Sequence, residues 1–284
     1  MIKTNTSTFI GCDTEFDDAE LVIFGAPFDS TTSFRPGARF AGNYIRNDSY
    51  GLETYSPYLD LDLDDYKLTD IGDLELPFGN AKIALDMIED TADTILNNNK
   101  FPFLIGGEHL VSLGAIKAAY KKYPNMKLLH FDAHADLRDN YLGEKLTHAG
   151  IIRRCWDFMG DNNIYQFCIR SGEKSEFEWS KEHTYMEKFS YESLSKKIKE
   201  IGDKTPVYIT IDLDVLDPSI FPGTGTPEPG GIFFKDIIEI IKSLTGLNII
   251  GADVVELAPH YDQSGVSTAV ACKVIRELLL AILY

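Results

Sequence analysis

The sequence predicts an α/β fold: one mostly parallel sheet with helices on both faces. Three observations predict it. Short apolar, β-branched runs alternate with amphipathic stretches of helical period over the whole chain. The runs are continuous rather than alternating, as in parallel strands buried on both sides. Four motifs rich in metal-binding groups each follow or end an apolar run: Gly106-Gly107-Glu108-His109, Asp132-Ala133-His134-Ala135-Asp136, Asp212-Leu213-Asp214 and Val254-Val255-Glu256. Open α/β sheets bind ligands outside the carboxyl ends of their strands, so these motifs should meet at one rim.

In chain order, the first strand is expected at residues 21–28, a continuous apolar run. Residues 81–97 carry apolar side chains with period 3.6 and read as a helix, followed by a short strand at 103–105. A helix over 110–123 leads to a strand at 127–131. A helix at 149–158 leads to a strand at 164–169. A helix at 191–200 precedes a strand at 207–211, and a helix at 233–244 precedes a strand at 248–255. Residues 266–283 form the last helix. No Pro- or Ser-rich linker and no repeat breaks the pattern. The chain therefore reads as one domain, residues 1–284, with residues 1–18 as an extension over the surface.

With 284 residues, 44% of them hydrophobic and 25% charged, the chain can bury a sizeable core. Its net charge of −17 argues against a nucleic-acid surface, which needs clustered Lys and Arg. The charge suits a cationic substrate or metal ions, although acidity for solubility alone gives the same balance. Cys12, Cys155, Cys168 and Cys272 lie far apart without a CxxC pair, as expected for reduced thiols. The N-terminus has no apolar core of signal-peptide length and no stretch approaches a membrane span, so a cytoplasmic location is expected.

Three motifs are set aside. Residues 60–65 resemble a calcium loop, but Asp65 stands where the turn needs Gly and Ile71 where the bidentate Glu belongs; the segment reads as a solvated acidic loop. Residues 223–230 are glycine-rich but lack the GxGxxG order and a Walker lysine, and read as a turn after a strand. Residues 35–39 read as a turn opening a helix, with an anion site as the alternative.

Asp132, His134 and Asp136 share one face if the segment is extended, because side chains alternate there. Asp212 and Asp214 repeat that spacing. His109 arrives from a third strand end, after a Gly-Gly pair expected to allow a tight turn. Four carboxylates and two imidazoles, with no thiolate, form a hard donor set. It suits Mn²⁺ and, less selectively, Mg²⁺, Fe²⁺, Co²⁺ or Zn²⁺. Six ligands are more than one ion with open positions needs. Two ions sharing carboxylates, roughly 3.5–4 Å apart, use them better. Six such groups beside apolar strands would be costly without cations.

Glu256 points to the same rim and could take a guanidinium by paired hydrogen bonds; a salt bridge to a nearby Arg is the alternative. His148, at an expected helix start, could carry protons near neutral pH or simply bond locally. His130 reads as a core or supporting histidine. His183 and His260 fall in polar loops, His260 close enough to Glu256 to border the site.

The ordered set GGEH, DAHAD, THA, DLDVLDP and DVVEL resembles the ureohydrolases, the arginase and agmatinase family, from residue 21 to the last helix. The strings at 136–143 and 169–174 look most like bacterial agmatinases. The resemblance implies a three-layer α/β/α sandwich with an eight-stranded, mainly parallel sheet, in a homo-oligomer that is usually a trimer or hexamer. It implies two Mn²⁺ ions. One would be held by His109, Asp132, Asp136 and Asp212, the other by Asp132, His134, Asp212 and Asp214. It places the guanidinium-binding carboxylate at Glu256 and the proton shuttle at His148.

The loop 137–147 departs from arginases, whose small polar residues hold an α-carboxylate. Here Asp139 and Glu144 could face an amine, while Arg138 and Lys145 keep a carboxylate-bearing substrate open. The expected reaction is hydrolysis of a linear guanidine, agmatine before others, to putrescine and urea. The nucleophile would be a metal-bridging hydroxide, with Asp136 and Glu256 orienting attacker and substrate. Arginase, guanidinobutyrase and formiminoglutamase are alternatives with the same chemistry. A catalytically silent metal-binding protein and a two-metal phosphoesterase are more distant ones.

Overall fold

The computed structural model describes residues 7–284; residues 1–6 of the expected surface extension lie outside it. The strands are β1 (Leu21–Ala26), β2 (Tyr55–Ser56), β3 (Leu61–Asp62), β4 (Leu68–Asp73), β5 (Phe101–Gly106), β6 (Lys127–Phe131), β7 (Ile164–Ile169), β8 (Tyr185–Lys188), β9 (Val207–Asp212) and β10 (Ile249–Val255). The α-helices are α1 (Ala41–Ser49), α2 (Ala81–Asn97), α3 (Ser112–Lys122), α4 (Ile151–Met159), α5 (Lys174–His183), α6 (Leu194–Ile201), α7 (Phe234–Ser243) and α8 (Val266–Leu283). Eight strands form one sheet in the order β4-β1-β5-β10-β9-β6-β7-β8, every pairing parallel. β2 and β3 form a separate antiparallel pair.

Strand alternation sorts the core into two layers. Leu21 and Ile23 of β1 join one cluster with Ile45 of α1, Ile237 of α7 and Ile275 of α8. Val22 and Phe24, between them in sequence, join the other with Ile88 of α2, Ile116 of α3 and Ile152 of α4. This is the α/β/α sandwich that the alternating pattern predicts.

Besides the short β2–β3 pair, four elements escaped the sequence pattern, for one reason. β4 (LTDIGD) and β8 (YMEK) are the two sheet edges, and α1 and α5 are rich in polar residues; none carries a long apolar run. The segment after residue 6 is not a loose cover. Phe9 and Cys12 are fully buried, the Phe9 N–H donates to Asp70 at 2.9 Å, and Asp13 bridges to Thr69. The acidic stretch at 60–65 is also more than a solvated loop: Leu61–Asp62 is β3, and Leu63 inserts into the core. Residues 35–39 do open a helix, through a 3-10 turn at Ala38–Phe40 into α1. All four cysteines are buried and free.

Candidate metal centre and cavity

The four central strands of the sheet, β5, β10, β9 and β6, end side by side. At or just beyond those ends stand His109, Glu256, Asp212 with Asp214, and Asp132 with His134 and Asp136. His109 Nδ1 lies 3.0 Å from Asp132 Oδ2, 3.1 Å from Asp136 Oδ2 and 3.3 Å from Asp212 Oδ2. His134 Nδ1 lies 3.0 Å from Asp214 Oδ2 and 3.5 Å from Asp132 Oδ1. Asp132 therefore turns one oxygen to each group. The Glu256 carboxylate reaches the same corner and accepts the His109 N–H at 2.7 Å.

The convergence has a different cause from the one expected. β6 stops at Phe131, and Asp136 has a left-handed φ of 52°, so residues 132–136 are not an extended strand. Asp214 sits in a 3-10 turn at Leu213–Val215, where its N–H donates to Asp212 Oδ1 at 2.8 Å. Glu256 is also left-handed, at 67°. Such conformations are uncommon outside Gly, Asn and Asp, so the one at Glu256 persists only because its surroundings enforce it. The Gly-Gly pair acts by close packing rather than by turning. Neither glycine has a positive φ; a Cβ on Gly106 would strike Val255, and one on Gly107 would strike the Phe28 carbonyl.

Behind the cluster stand groups that the sequence reading left without a role. His109 Nε2 faces the Thr210 hydroxyl at 2.9 Å, and Thr210 donates to Asp253 Oδ1 at 2.6 Å. With Nδ1 turned to the cluster, this chain of bonds puts the proton on Nε2. His130 Nε2 lies 2.8 Å from Asp132 Oδ2, and its Nδ1 accepts from Gln166 at 3.1 Å. Both ring nitrogens are thereby engaged, and His130 steadies Asp132. Asp253 inside a strand run and Glu108 inside GGEH were visible signals; Thr210 and Gln166 were not.

Among the described residues, only histidines form ion pairs with Asp132, Asp136, Asp212 or Asp214. Burial pushes the Asp136 carboxyl up to about 7, helped by the charge on Asp132. Burial and the charge on Asp214 raise Asp212, and burial with the charge on Glu108 raises Glu256. Burial acts against ionised Asp132 too, but His130, His109 and His134 hold its carboxyl well below the usual range. Burial would lower His109 and His134; their carboxylate neighbours raise both well above an ordinary imidazole. The chain thus buries more carboxylates than its own cations satisfy. That excess, in a hard oxygen and imidazole set, fits divalent ions.

A cavity of about 280 Å³ opens over the cluster. Its wall includes His148, Ser33, Arg138, Tyr141, Glu173 and Thr226. Burial, with the nearby charges of His134 and Arg138, pushes the His148 imidazole down to about 4, so it is neutral at pH 7. The loop 137–147 contributes differently from expectation. Asp139 turns away to Arg154 at 3.0 Å, and Glu144 lines a neighbouring groove. The carboxylates on the cavity wall come instead from Glu173 and Glu176, with Arg138 beside them at 3.4 and 3.7 Å. Lys145 is not on the wall. His183 pairs with Asp161 and stacks on Trp179, away from the cavity. His260 packs against Phe40 and the Pro36 carbonyl, and does not line the cavity.

A model of the arginase family matches residues 19–281. The agmatinase of Bacillus subtilis is 49% identical over 276 residues, covering 96% of this chain and 95% of that one. The guanidinobutyrase of Pseudomonas aeruginosa is 34% identical over 277 residues, covering 93% and 87%. A solved Clostridium difficile structure superposes with a TM-score of 0.92 at 50% identity, covering 94% of this chain and 98% of that one. On a family match of this length and relatives this similar over nearly their full length, the chain belongs to the arginase family and is a ureohydrolase.

Proposed function

We propose that this enzyme hydrolyses agmatine to putrescine and urea, using two Mn²⁺ ions. The observation that carries this is the position of Glu256 beside six converging donors, four of which line one cavity with it. His109, Asp132, Asp136 and Asp212 would hold one ion; Asp132, His134, Asp212 and Asp214 would hold the other. Asp132, which already turns one oxygen to each histidine, would be shared, and Asp212 with it. When bound, two such ions supply a hydrolytic nucleophile at neutral pH.

The chain's own residues do the rest. Glu256, on the same rim, would accept hydrogen bonds from the guanidinium and orient its carbon over the floor. Asp136, in contact with His109 at 3.1 Å, would orient the attacking group. His148, neutral at pH 7 and on the cavity wall, would pass to the departing amine the proton that the attacking water gives up. Agmatine is preferred over a guanidino acid on two grounds. The agmatinase relative is 49% identical and the guanidinobutyrase relative 34%. Glu173, with its side chain more than half exposed on the wall, suits a cationic tail.

The enzyme acts as a single domain over residues 1–284, in the cytoplasm, as a homo-oligomer of three or six chains. No helix among the described residues is long and apolar enough to cross a membrane. Urea release by Mn²⁺-loaded protein, with agmatine, arginine and 4-guanidinobutyrate side by side, tests the substrate. Release from agmatine alone is expected. Release only from a carboxylate-bearing guanidine would overturn the substrate and keep the chemistry. Loss of both activity and metal in Asp212→Ala is expected; full activity there would overturn the site.

A further inference from the structure

Glu108 stands next to His109 but takes its hydrogen bonds from a different segment. It is fully buried at the end of β5, outside the donor cluster. Its two oxygens take hydrogen bonds from one short segment: the Thr31 N–H at 3.0 Å, the Thr31 hydroxyl at 2.8 Å and the Thr32 hydroxyl at 3.0 Å. The Thr31 hydroxyl also accepts the His148 backbone N–H at 3.0 Å. A backbone N–H can only donate, so the Thr31 hydroxyl accepts from His148 and turns its own proton to Glu108.

Two residues on, the Ser33 hydroxyl lies 3.2 Å from His148 Nε2, while Nδ1 has no partner among the described residues. The segment that carries Glu108's donors thus touches His148 twice, at its backbone and at its ring. The remainder of the loop is tied elsewhere. Asp29 accepts the Gly37 N–H at 2.7 Å, Arg35 donates to the Thr224 carbonyl, and Tyr261 donates to the Pro36 carbonyl at 3.0 Å. Of residues 31–33, Ser33 lines the cavity, while Thr31 and Thr32, on the neighbouring groove, have Glu108 as their anchor at the end of the sheet.

We propose that Glu108 is a positioning residue that acts through Thr31 and Ser33 to hold the His148 imidazole over the cavity. The 29–37 loop is then part of the proton-transfer machinery rather than a passive rim. This rests on the reading of His148 as the proton carrier. A misplacement of about 1 Å at a reacting group can cost on the order of 100-fold in rate.

The test compares Thr31→Val, Thr31→Ser, Glu108→Gln and His148→Asn with the parent enzyme, all loaded with Mn²⁺. Metal content, kcat and KM are measured with the guanidine that the parent turns over. Thr31→Val keeps the shape and removes the hydroxyl. It should lower kcat about 10- to 100-fold, with KM within about twofold and both ions retained. Thr31→Ser restores the hydroxyl and should restore kcat, and Glu108→Gln should fall on the same side as Thr31→Val. Parent kcat in Thr31→Val beside an impaired His148→Asn would overturn this proposal alone. Parent kcat in His148→Asn would overturn the reading of His148 and the proposal with it. A fall in kcat that comes only with metal loss, or with a matching rise in KM, would reduce Glu108 to structural support and also overturn it.

Discussion

Thr210→Val removes one hydroxyl from the sheet and should loosen metal binding without entering the donor set. Thr210 is fully buried on β9, between His109 Nε2 at 2.9 Å and Asp253 Oδ1 at 2.6 Å. Valine fills the same space, so no cavity forms. What is lost is the partner of two buried polar groups. Each such group costs about 1–3 kcal/mol when left unmade, which sums to about 2–6 kcal/mol. The upper half of that range is not reached. Burial already raises the Asp253 carboxyl to about 6, against the pull of His109 and of nearby hydroxyls. A small further rise lets it bind a proton near neutral pH and avoid an unpaired buried charge. A loss of about 2–4 kcal/mol in fold stability is therefore expected.

The same change frees the His109 ring to rotate and removes the bond that keeps the proton on Nε2. Losing such a partner behind a metal-binding histidine typically costs about 10- to 100-fold in affinity. The assay is Mn²⁺ binding by competition with a chelator of known affinity, beside a urea melt of metal-free protein. Thr210→Ser should behave as the parent. Parent affinity and parent stability in Thr210→Val would refute the reasoning, because they would show that the hydroxyl bridges nothing of consequence.

Gly107→Ala drives a methyl group into the Phe28 carbonyl, where backbone rather than a flexible side chain must yield. A stability loss above about 2 kcal/mol is expected in thermal melts, with a fall in activity because Glu108 and His109 follow directly. Metal binding should release protons, measurable by calorimetry in buffers of different ionisation enthalpy. His109 and His134 are raised and Asp136 stands at about 7, so the metal-free site holds protons that the ions must displace; apparent affinity falls as pH falls. For the metal-free fold the sign is opposite. A carboxyl raised from 3.8 to about 7 contributes fully below its unfolded value and loses that contribution as pH rises through 7. Metal-free protein should therefore unfold more readily at pH 8 than at pH 6, and saturating Mn²⁺ should abolish the difference.

The central strands were legible because burial on both faces demands continuous apolar runs, and β5, β6, β9 and β10 have them. The edges were not, because β4 and β8 meet fewer neighbours and can carry Asp, Glu and Lys. The donor residues were legible for a related reason. A carboxylate or imidazole directly after an apolar run is conspicuous, and the parallel topology brings such run-ends together. The local geometry was not legible. Period-two alternation gives the right partners for Asp132 and His134 by the wrong route, since the backbone leaves the strand at Phe131 and turns left-handed at Asp136. The loop at 137–147 misled for the same reason: its charges could be read, but not that Arg154 would claim Asp139.

The residues that hold the donors form a second class, and their obscurity has a physical origin. Thr210 lies 101 positions from His109, Thr31 lies 77 from Glu108, and His148 lies 117 from Thr31. Each is an ordinary polar residue whose identity matters only through a partner from a distant strand end. A donor can be inferred from its own chemistry, because few other uses exist for a carboxylate beside an apolar core. A holder cannot, because a threonine satisfies a strand, a turn or a solvent face equally well. The hydrogen-bond directions remove that ambiguity. An Nδ1 turned to the carboxylate cluster puts the proton on Nε2, and Nε2–H requires an acceptor that can itself donate to Asp253. On that strand a threonine hydroxyl meets both demands where valine would meet neither.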